Sequence, residues 1–429
     1  MRVVVADIDS GINPYHDWYN AGSAIYPAGS PPSSVTPELL AELNIDAAHQ
    51  LQLTRTGNPA ADYAADAAIW ASIKKGELYW FKGTNILAIT FKDQPAGGVP
   101  ILPDTEDDTH GVGTSSSVLA GNPEAVVLFI EPDELGSELA HGYAFTLPAV
   151  DIVTTSYGVS IPNTGIPLPE ANTFFSTFEG VVQLGKLHFS SGGNGPGLTP
   201  LRAGAGPWWS IGVSGFEEDS SNGRTLLSGL FPDFIADFTQ RLPYCMVCQD
   251  EFEDFVAGTS FSTPLAAGIA SKVLLEARRT MGSAGGIQVR PDNQSVMAVG
   301  ADGRALSNWQ LRRALEEAAY IPQIGDYDPV EGVFDVAGLP INPVAPWLQI
   351  GWGVLSANPD KGVVEKALSF LGLAGPAPAV KTMGYCEFQT GVITVRHQYW
   401  DNVSPLGALN PVLTGGAVGD YEEDPYIYC

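Results

Sequence analysis

The chain has 429 residues, with 21 Lys and Arg against 48 Asp and Glu, a formal charge of −27. That balance excludes a nucleic-acid binder, which needs clustered cations to grip phosphates, and it disfavours an anionic membrane surface on the same ground. Apolar residues make up 45% and charged residues 16%, which suffices for a packed core and excludes disorder as the main state.

The length sets a prior of two to three domains, unless one large α/β domain carries insertions. The 48 Gly and 33 Pro predict many tight loops. No run approaches the ~20 consecutive apolar residues of a spanning helix. Met1–Asp9 lacks the apolar stretch and small-residue cleavage site of a secretory signal, and reads as a strand from the start.

In chain order, Val3–Ile8 is an apolar run without alternation, the pattern of a strand buried on both faces of a parallel sheet. A long insert follows, from Asn20 to about Pro103, with helices expected over Pro37–Leu53 and Ala60–Ile73 and a strand over Ile86–Phe91; it is expected to act as a cover or subdomain. Further strands are expected at Ala125–Ile130, Val150–Thr155, Leu187–Ser190, Trp208–Val213 and Phe234–Phe238. Helices are expected at Glu170–Leu184, Ser262–Arg278, Asn308–Ala319 with Asn308 as a cap, and Val363–Leu373. The alternation predicts an α/β domain over 1–373, with residues 20–103 as its insert. Residues 374–429, Pro-rich and then aromatic and acidic, form a small C-terminal extension.

Four cysteines fall at Cys245, Cys248, Cys386 and Cys429. Two disulfides, 245 with 248 and 386 with 429, are one reading; free thiols and half of a metal site are the others.

The sharpest local feature is Gly258-Thr259-Ser260-Phe261-Ser262-Thr263-Pro264, which leads into an apolar helix with Pro264 in its first turn. Ser260 then stands at a helix N-terminus, where exposed N–H groups and the dipole favour an oxyanion; a plain Ser cap is the bland alternative. A serine nucleophile needs a base. His110, in the polar turn Asp107-Asp108-Thr109-His110-Gly111, has the setting for it, whereas His16, His49, His141, His188 and His397 read as structural. The carboxylate that orients the imidazole is Asp9, at the C-terminal end of the first strand; Asp7, on the same side but deeper in the sheet, is the lesser candidate.

Asp9-Ser10-Gly11-Ile12, His110-Gly111 and Gly258-Thr259-Ser260-x-Ser262-Thr263-Pro264, in the order Asp, His, Ser, resemble the subtilisin-like serine peptidases, or subtilases. His16 matches the structural histidine that often follows the Asp motif. Phe189-Ser190-Ser191-Gly192-Gly193-Asn194-Gly195 resembles the strand end that carries the oxyanion-hole asparagine, here Asn194. Thr154-Thr155-Ser156-Tyr157-Gly158 is similar to the segment that pairs with substrate backbone and walls the specificity pocket. Pro232–Ala236 and Gly351–Leu355 resemble flanking family segments.

The resemblance implies a three-layer subtilisin-like fold with a mostly parallel central sheet. It also implies a serine endopeptidase working by an Asp-His-Ser triad and an acyl-enzyme on protein or peptide substrates. Asp9, His110, Ser260 and Asn194 take the catalytic roles, and Ser156, Tyr157, Gly158, Gly192 and Gly193 the substrate-binding ones. The chemistry needs no cofactor, structural calcium is possible as in relatives, no metal ligands are assigned, and neither nucleic acid nor membrane is a partner. Acidity and paired cysteines favour a secreted or extracellular protein, although no signal is seen.

This chain departs from the family pattern in having Val112 after His-Gly, where Thr is usual, and in the 101 residues between Asp9 and His110. Those departures motivate the alternative of an impaired relative that binds peptides. A sedolisin-like carboxyl peptidase would place a glutamate where His110 stands. Acidic runs at Asp104–Asp108, Glu217–Asp219, Asp250–Asp254 and Asp420–Asp424 read as solvated faces, with cation binding, or for Asp250–Asp254 a preference for basic substrates, as the functional readings.

Overall fold

The computed structural model describes residues 1–27, 34–93, 99–103, 109–134, 136–158, 168–194, 204–207, 209–218, 224–226, 232–321 and 350–376. Its centre is β1 (Val4–Ile8). Successive side chains of a strand point to opposite faces, and along this segment Val3 and Val5 enter one core while Val4, Ala6 and Ile8 enter the other. Such a strand needs cover on both sides.

The remaining strands of the main sheet are β2 (Gln50–Leu51), β3 (Leu78–Phe81), β4 (Ile86–Thr90), β5 (Val126–Glu131), β6 (Ile152–Thr155), β7 (Leu187–Ser191), β8 (Ile211–Glu217), β9 (Arg224–Leu226) and β10 (Phe234–Asp237). They lie in the order β10-β8-β7-β6-β1-β5-β4-β3-β2, with β9 beside β8. Only the β3–β4 and β8–β9 pairs are antiparallel. A hairpin of β11 (Thr239–Leu242) and β12 (Glu253–Ala257) stands apart.

Nine helices are described: α1 (Pro37–Glu42), α2 (Pro59–Ala65), α3 (Ala67–Trp70), α4 (His110–Gly121), α5 (Glu138–Thr146), α6 (Leu168–Val182), α7 (Thr259–Met281), α8 (Asn308–Ala318) and α9 (Val363–Phe370). Val118 and Leu119 of α4 and Leu265, Ile269 and Val273 of α7 join the Val3/Val5 core. Ala140 and Phe145 of α5, Val181 of α6 and Leu39 of α1 join the core on the opposite face. The result is the expected three-layer α/β architecture.

Where α4 and α7 cross, a Cβ on Gly268 would fall 2.3 Å from the Val118 carbonyl oxygen, and one on Gly121 2.6 Å from that of Leu265. The two backbones therefore touch, and Asn122 Nδ2 donates to Ser271 Oγ beside the contact (2.9 Å).

Three expectations shift. The insert is no detached cover: it supplies β2, β3 and β4 to the edge of the same sheet, because Ile86–Ile89 is buried on both faces against β5. The long helix expected over Pro37–Leu53 stops at Glu42, with Asn44 in the left-handed region (φ 57°), and Ala60–Ile73 breaks into α2 and α3. The carboxylate of Asp66 at that break accepts from Thr54 N (2.8 Å), Thr54 Oγ1 (2.6 Å) and the Tyr15 hydroxyl (2.9 Å). Ser307, not Asn308, caps α8, in a reciprocal capping box with Gln310; the Asn308 amide instead donates to the carbonyls of Val181 and Lys186. Cys245 and Cys248 are joined in a disulfide with Cα atoms 6.0 Å apart. Trp208, Cys386 and Cys429, with most of the C-terminal extension, lie outside the described residues. No described helix is long and apolar enough to cross a membrane.

One buried ion pair ties the layers together. Arg278, in the last turn of α7, donates Nη2 to Asp151 Oδ1 (2.5 Å) and Nη1 to Oδ2 (3.0 Å), and also binds the carbonyls of Arg2, Gly286 and Met297. Asp151 Oδ2 in turn accepts the Val4 N–H (2.9 Å). Removing one partner strands a buried charge, so Arg278→Met is expected to cost about 3–5 kcal/mol in denaturant unfolding, and the double variant Arg278→Met/Asp151→Leu to recover much of it. Equal loss in the single and double variants would contradict this account.

Candidate active site

β1 lies between β5 and β6, and the connection that leaves β1 runs towards the β2 edge of the sheet whereas the one that leaves β6 runs the other way, towards β7. This is the topological switch point, where open α/β sheets leave a crevice beyond the strand ends. Asp9 stands there, buried, its N–H donating to the Ile130 carbonyl at the end of β5 (3.1 Å). Asp9 Oδ1 accepts from Ser10 N (2.8 Å) and Ser10 Oγ (3.3 Å), and from His110 Nδ1 (2.8 Å).

His110 is the first residue of α4. Its helix can approach this closely because the next residue has no side chain: a Cβ on Gly111 would lie 2.4 Å from the Gly11 carbonyl oxygen. Val112, the departure from the family pattern, leaves that turn intact; it is buried, and its carbonyl accepts the Tyr19 hydroxyl (2.7 Å). Burial alone would lower the His110 pKa, but the Asp9 charge and hydrogen bond outweigh it, and the net shift is upward from 6.5. The Asp9 side chain is 3% exposed and that of His110 30%, so the imidazole keeps an open edge.

Ser260 is the second residue of α7. Its hydroxyl donates to the Ser156 carbonyl (3.0 Å), and the Ser156 hydroxyl donates to the Ser260 carbonyl (2.8 Å). Among the described residues no hydrogen bond joins His110 to Ser260, although the His110 and Phe261 rings lie 5.5 Å apart between centroids. Asn194 follows β7, and its Oδ1 accepts both Thr259 N (2.9 Å) and Thr259 Oγ1 (2.8 Å). A backbone N–H can only donate, so this bond fixes which end of the amide is oxygen. Nδ2 is the end nearer Gly258, 3.4 Å from where a Cβ would sit.

Ser156, Tyr157 and Gly158 leave the end of β6, and Gly192 and Gly193 the end of neighbouring β7. Gly193 N donates to Thr259 Oγ1 (3.2 Å) and Gly192 N to the Val213 carbonyl (2.9 Å). Both segments thus adjoin the start of α7. Residues 159–167, which continue the first of them, lie outside the described residues.

Several contributors escape a sequence reading. Thr114, four residues after His110, donates from Oγ1 to Asp7 Oδ2 (2.8 Å); the clue is the spacing, which repeats the helical face of His110. Under the Ser156–Gly158 segment, His188 bonds Thr155 Oγ1 (2.9 Å) and Ser210 Oγ (2.8 Å), and burial pushes neighbouring His141 down to about 4. Tyr244 packs edge-on to Phe261 (5.9 Å), and the following turn holds the loop after Asp9 through Asn13 Nδ2, which donates to the Cys248 carbonyl (2.9 Å). No motif announces these.

For metals, His16, Cys245 and Cys248 form the one cluster of three among the described residues, with ligand atoms within 4.8 Å of one another. They do not fit an ion: the sulfurs are bonded to each other, His16 Nδ1 accepts the Trp18 N–H (3.0 Å), and Nε2 meets the Glu251 carbonyl (2.9 Å). His16 is thus a structural histidine, pushed by burial down to about 4. Of the acidic runs, Asp104–Asp108 and Asp420–Asp424 fall outside the described residues, and Asp254 pairs with Arg241 (3.0 Å).

Among solved structures, the chain is similar to the prenylagaramide maturation protease PagA (13% identity, TM-score 0.42, covering 84% of this chain and 94% of that one) and to the PatG macrocyclase in complex with peptide (13%, 0.45, 86% and 91%). It is also similar to fervidolysin from Fervidobacterium pennivorans, a keratinolytic enzyme related to subtilisin (14%, 0.42, 88% and 43%). No curated protein matches. The family model described as the subtilase family, Peptidase_S8, matches residues 2–285, and with that match over most of the chain the protein belongs to the subtilase family of serine peptidases.

Proposed function

We propose that the protein is a serine endopeptidase in which Asp9, His110 and Ser260 act as a triad, forming an acyl-enzyme on protein or peptide substrates. The observation that carries this reading is the 2.8 Å bond from His110 Nδ1 to a buried carboxylate. That bond fixes the tautomer with Nε2 free to take a proton and stabilises the imidazolium that results. Ser260 Oγ, released from the Ser156 carbonyl by rotation about one side-chain torsion, attacks the scissile carbonyl while His110 acts as base and then as acid. Asn194 Nδ2 and the Ser260 N–H at the head of α7 stabilise the oxyanion, and the anchoring of Asn194 by Thr259 supports that role. Ser156–Gly158 and Gly192–Gly193 flank the substrate. This chemistry runs on side chains and backbone N–H groups. The Cys245–Cys248 disulfide supports a site of action outside the reducing cytosol.

A second reading, a relative that binds peptides without turnover, is favoured by one observation: the resting bond of Ser260 to Ser156 rather than to His110. Casein hydrolysis by the wild type that disappears in His110→Ala decides for the enzyme.

A fluorophosphonate probe is expected to label the wild type and not Ser260→Ala; a labelled mutant rejects the nucleophile. Asn194→Ala should lower kcat by about 10²–10³-fold with little change in KM. The pH profile follows from the sign of the His110 shift. The base works only when neutral, so kcat/KM should fall as pH drops through a limb lying above 6.5. Asp9→Asn removes the charge that raises it, leaving burial to dominate. Its acid limb should move to lower pH, with activity reduced about 10⁴-fold. A limb unmoved in Asp9→Asn would show that another group sets it.

A further inference from the structure

Asp7 is buried in the sheet, two residues before Asp9 on the strand, and therefore on the same face. That face carries α4 and α7, as the shared core of Val3, Val5 and Val118 shows. Two residues of strand span about 6.6 Å, and four residues of helix rise about 6 Å, so the two spacings match. The structure uses the match. Asp9 Oδ1 bonds His110 Nδ1 (2.8 Å) and Asp7 Oδ2 accepts from Thr114 Oγ1 (2.8 Å), giving two rungs between β1 and α4, one helical turn apart.

The second rung has an unusual electrostatic setting. The groups that face Asp7 are Asp9 on its own strand, Thr114 on α4, Thr154 in register on β6, and the phenols of Tyr19 and Tyr157, whose own ionisation its charge opposes. None of them is a cation. Three buried oxygens in this group have no hydrogen-bond partner among the described residues: Asp7 Oδ1, Asp9 Oδ2 and Thr154 Oγ1. Two carboxylates side by side would repel, and the imidazole that can offset them bonds Asp9, whereas one proton on Asp7 supplies a donor where acceptors are in excess.

We propose, taking the peptidase reading above as given, that Asp7 is a positioning residue held in its neutral, protonated form, and that its rung with Thr114 sets the height and rotation of α4 and hence the place of His110. Asp7 then leaves the single negative charge of the site on Asp9. Burial, followed by the nearby Asp9 charge, raises the Asp7 pKa well above 3.8, against a smaller lowering by Thr114, in keeping with this protonation state.

The test uses the full chain and two substitutions. Asp7→Asn keeps the shape and neutrality, and is expected to retain the wild-type kcat, KM and acid limb. Asp7→Val removes the rung and should lower kcat about 10- to 100-fold at unchanged KM, the scale of a reacting group displaced by about an ångström. Wild-type kcat in Asp7→Val, or an Asp7→Asn acid limb displaced to lower pH, overturns the proposal. The fluorophosphonate probe separates the two layers: a wild type unlabelled at Ser260 rejects the peptidase reading, whereas a labelled one leaves the kinetics to judge Asp7.

Melting measures the protonation state without activity. A raised folded pKa means that the folded chain keeps a proton the unfolded chain releases near 3.8, so wild-type stability declines as pH rises from there towards the folded value. The melting temperature of Asp7→Asn should therefore gain on the wild type as pH rises above about 4. A difference independent of pH shows an ionised Asp7 and overturns the proposal.

Discussion

The close crossing of α4 and α7 fixes the separation of two helix starts, and those starts carry His110 and Ser260. Helices normally pack with axes about 8–10 Å apart, a distance set by the side chains between them. At Gly121 and Gly268 there are none, and backbone meets backbone. A side chain at either position would push the helices apart near one end and tilt the other, moving His110 relative to Ser260. His110 and Ser260 are partly buried at the helix starts, and the contact that sets their separation lies about two to three turns further along the helices.

The sheet places Asp9 by topology. β1 lies in the middle of the strand order, flanked by β5 and β6, so its C-terminal end opens into the crevice where connections diverge. Asp9 is placed there by the end of the strand, and its depth is kept by the bond of its N–H to Ile130. At the opposite end of β1 the Asp151–Arg278 pair anchors Val4 and the last turn of α7 together. The strand and the helix that bring Asp9 and Ser260 to the cleft are thus tied at the end remote from it.

The central strands were legible because a parallel strand covered on both faces leaves a continuous apolar run; Val3–Ile8, Ala125–Ile130 and Leu187–Ser190 became β1, β5 and β7 with ends shifted by one residue or less. The insert was less legible because its turns depend on tertiary bonds. Asp66 ends a helix by bonding Thr54 and Tyr15, partners far from it in sequence. In the site, the Ser260 and His110 motifs stood out because glycine and small residues around them are demanded by close packing. The reciprocal bonds of Ser156 and Ser260, and the rung from Asp7 to Thr114, did not stand out. Serine, threonine and aspartate are common in many settings, and only the fold brings these pairs together.

The place of β1 in the strand order has a consequence for the time course of folding. It precedes every other described strand, yet Val4 pairs with Val126 and Val5 with Val127 and Ile152, so both of its edges stay open until residues far along the chain exist. Pairings between such distant segments make for slow folding, and an unpaired apolar strand invites wrong partners meanwhile. Asp9 at its end has no imidazole to bond until α4 is laid across it, and Ser260 comes later still in the chain, with α7. A nascent chain that ends before α7 therefore holds Asp9 and His110 without the helix start that carries Ser260.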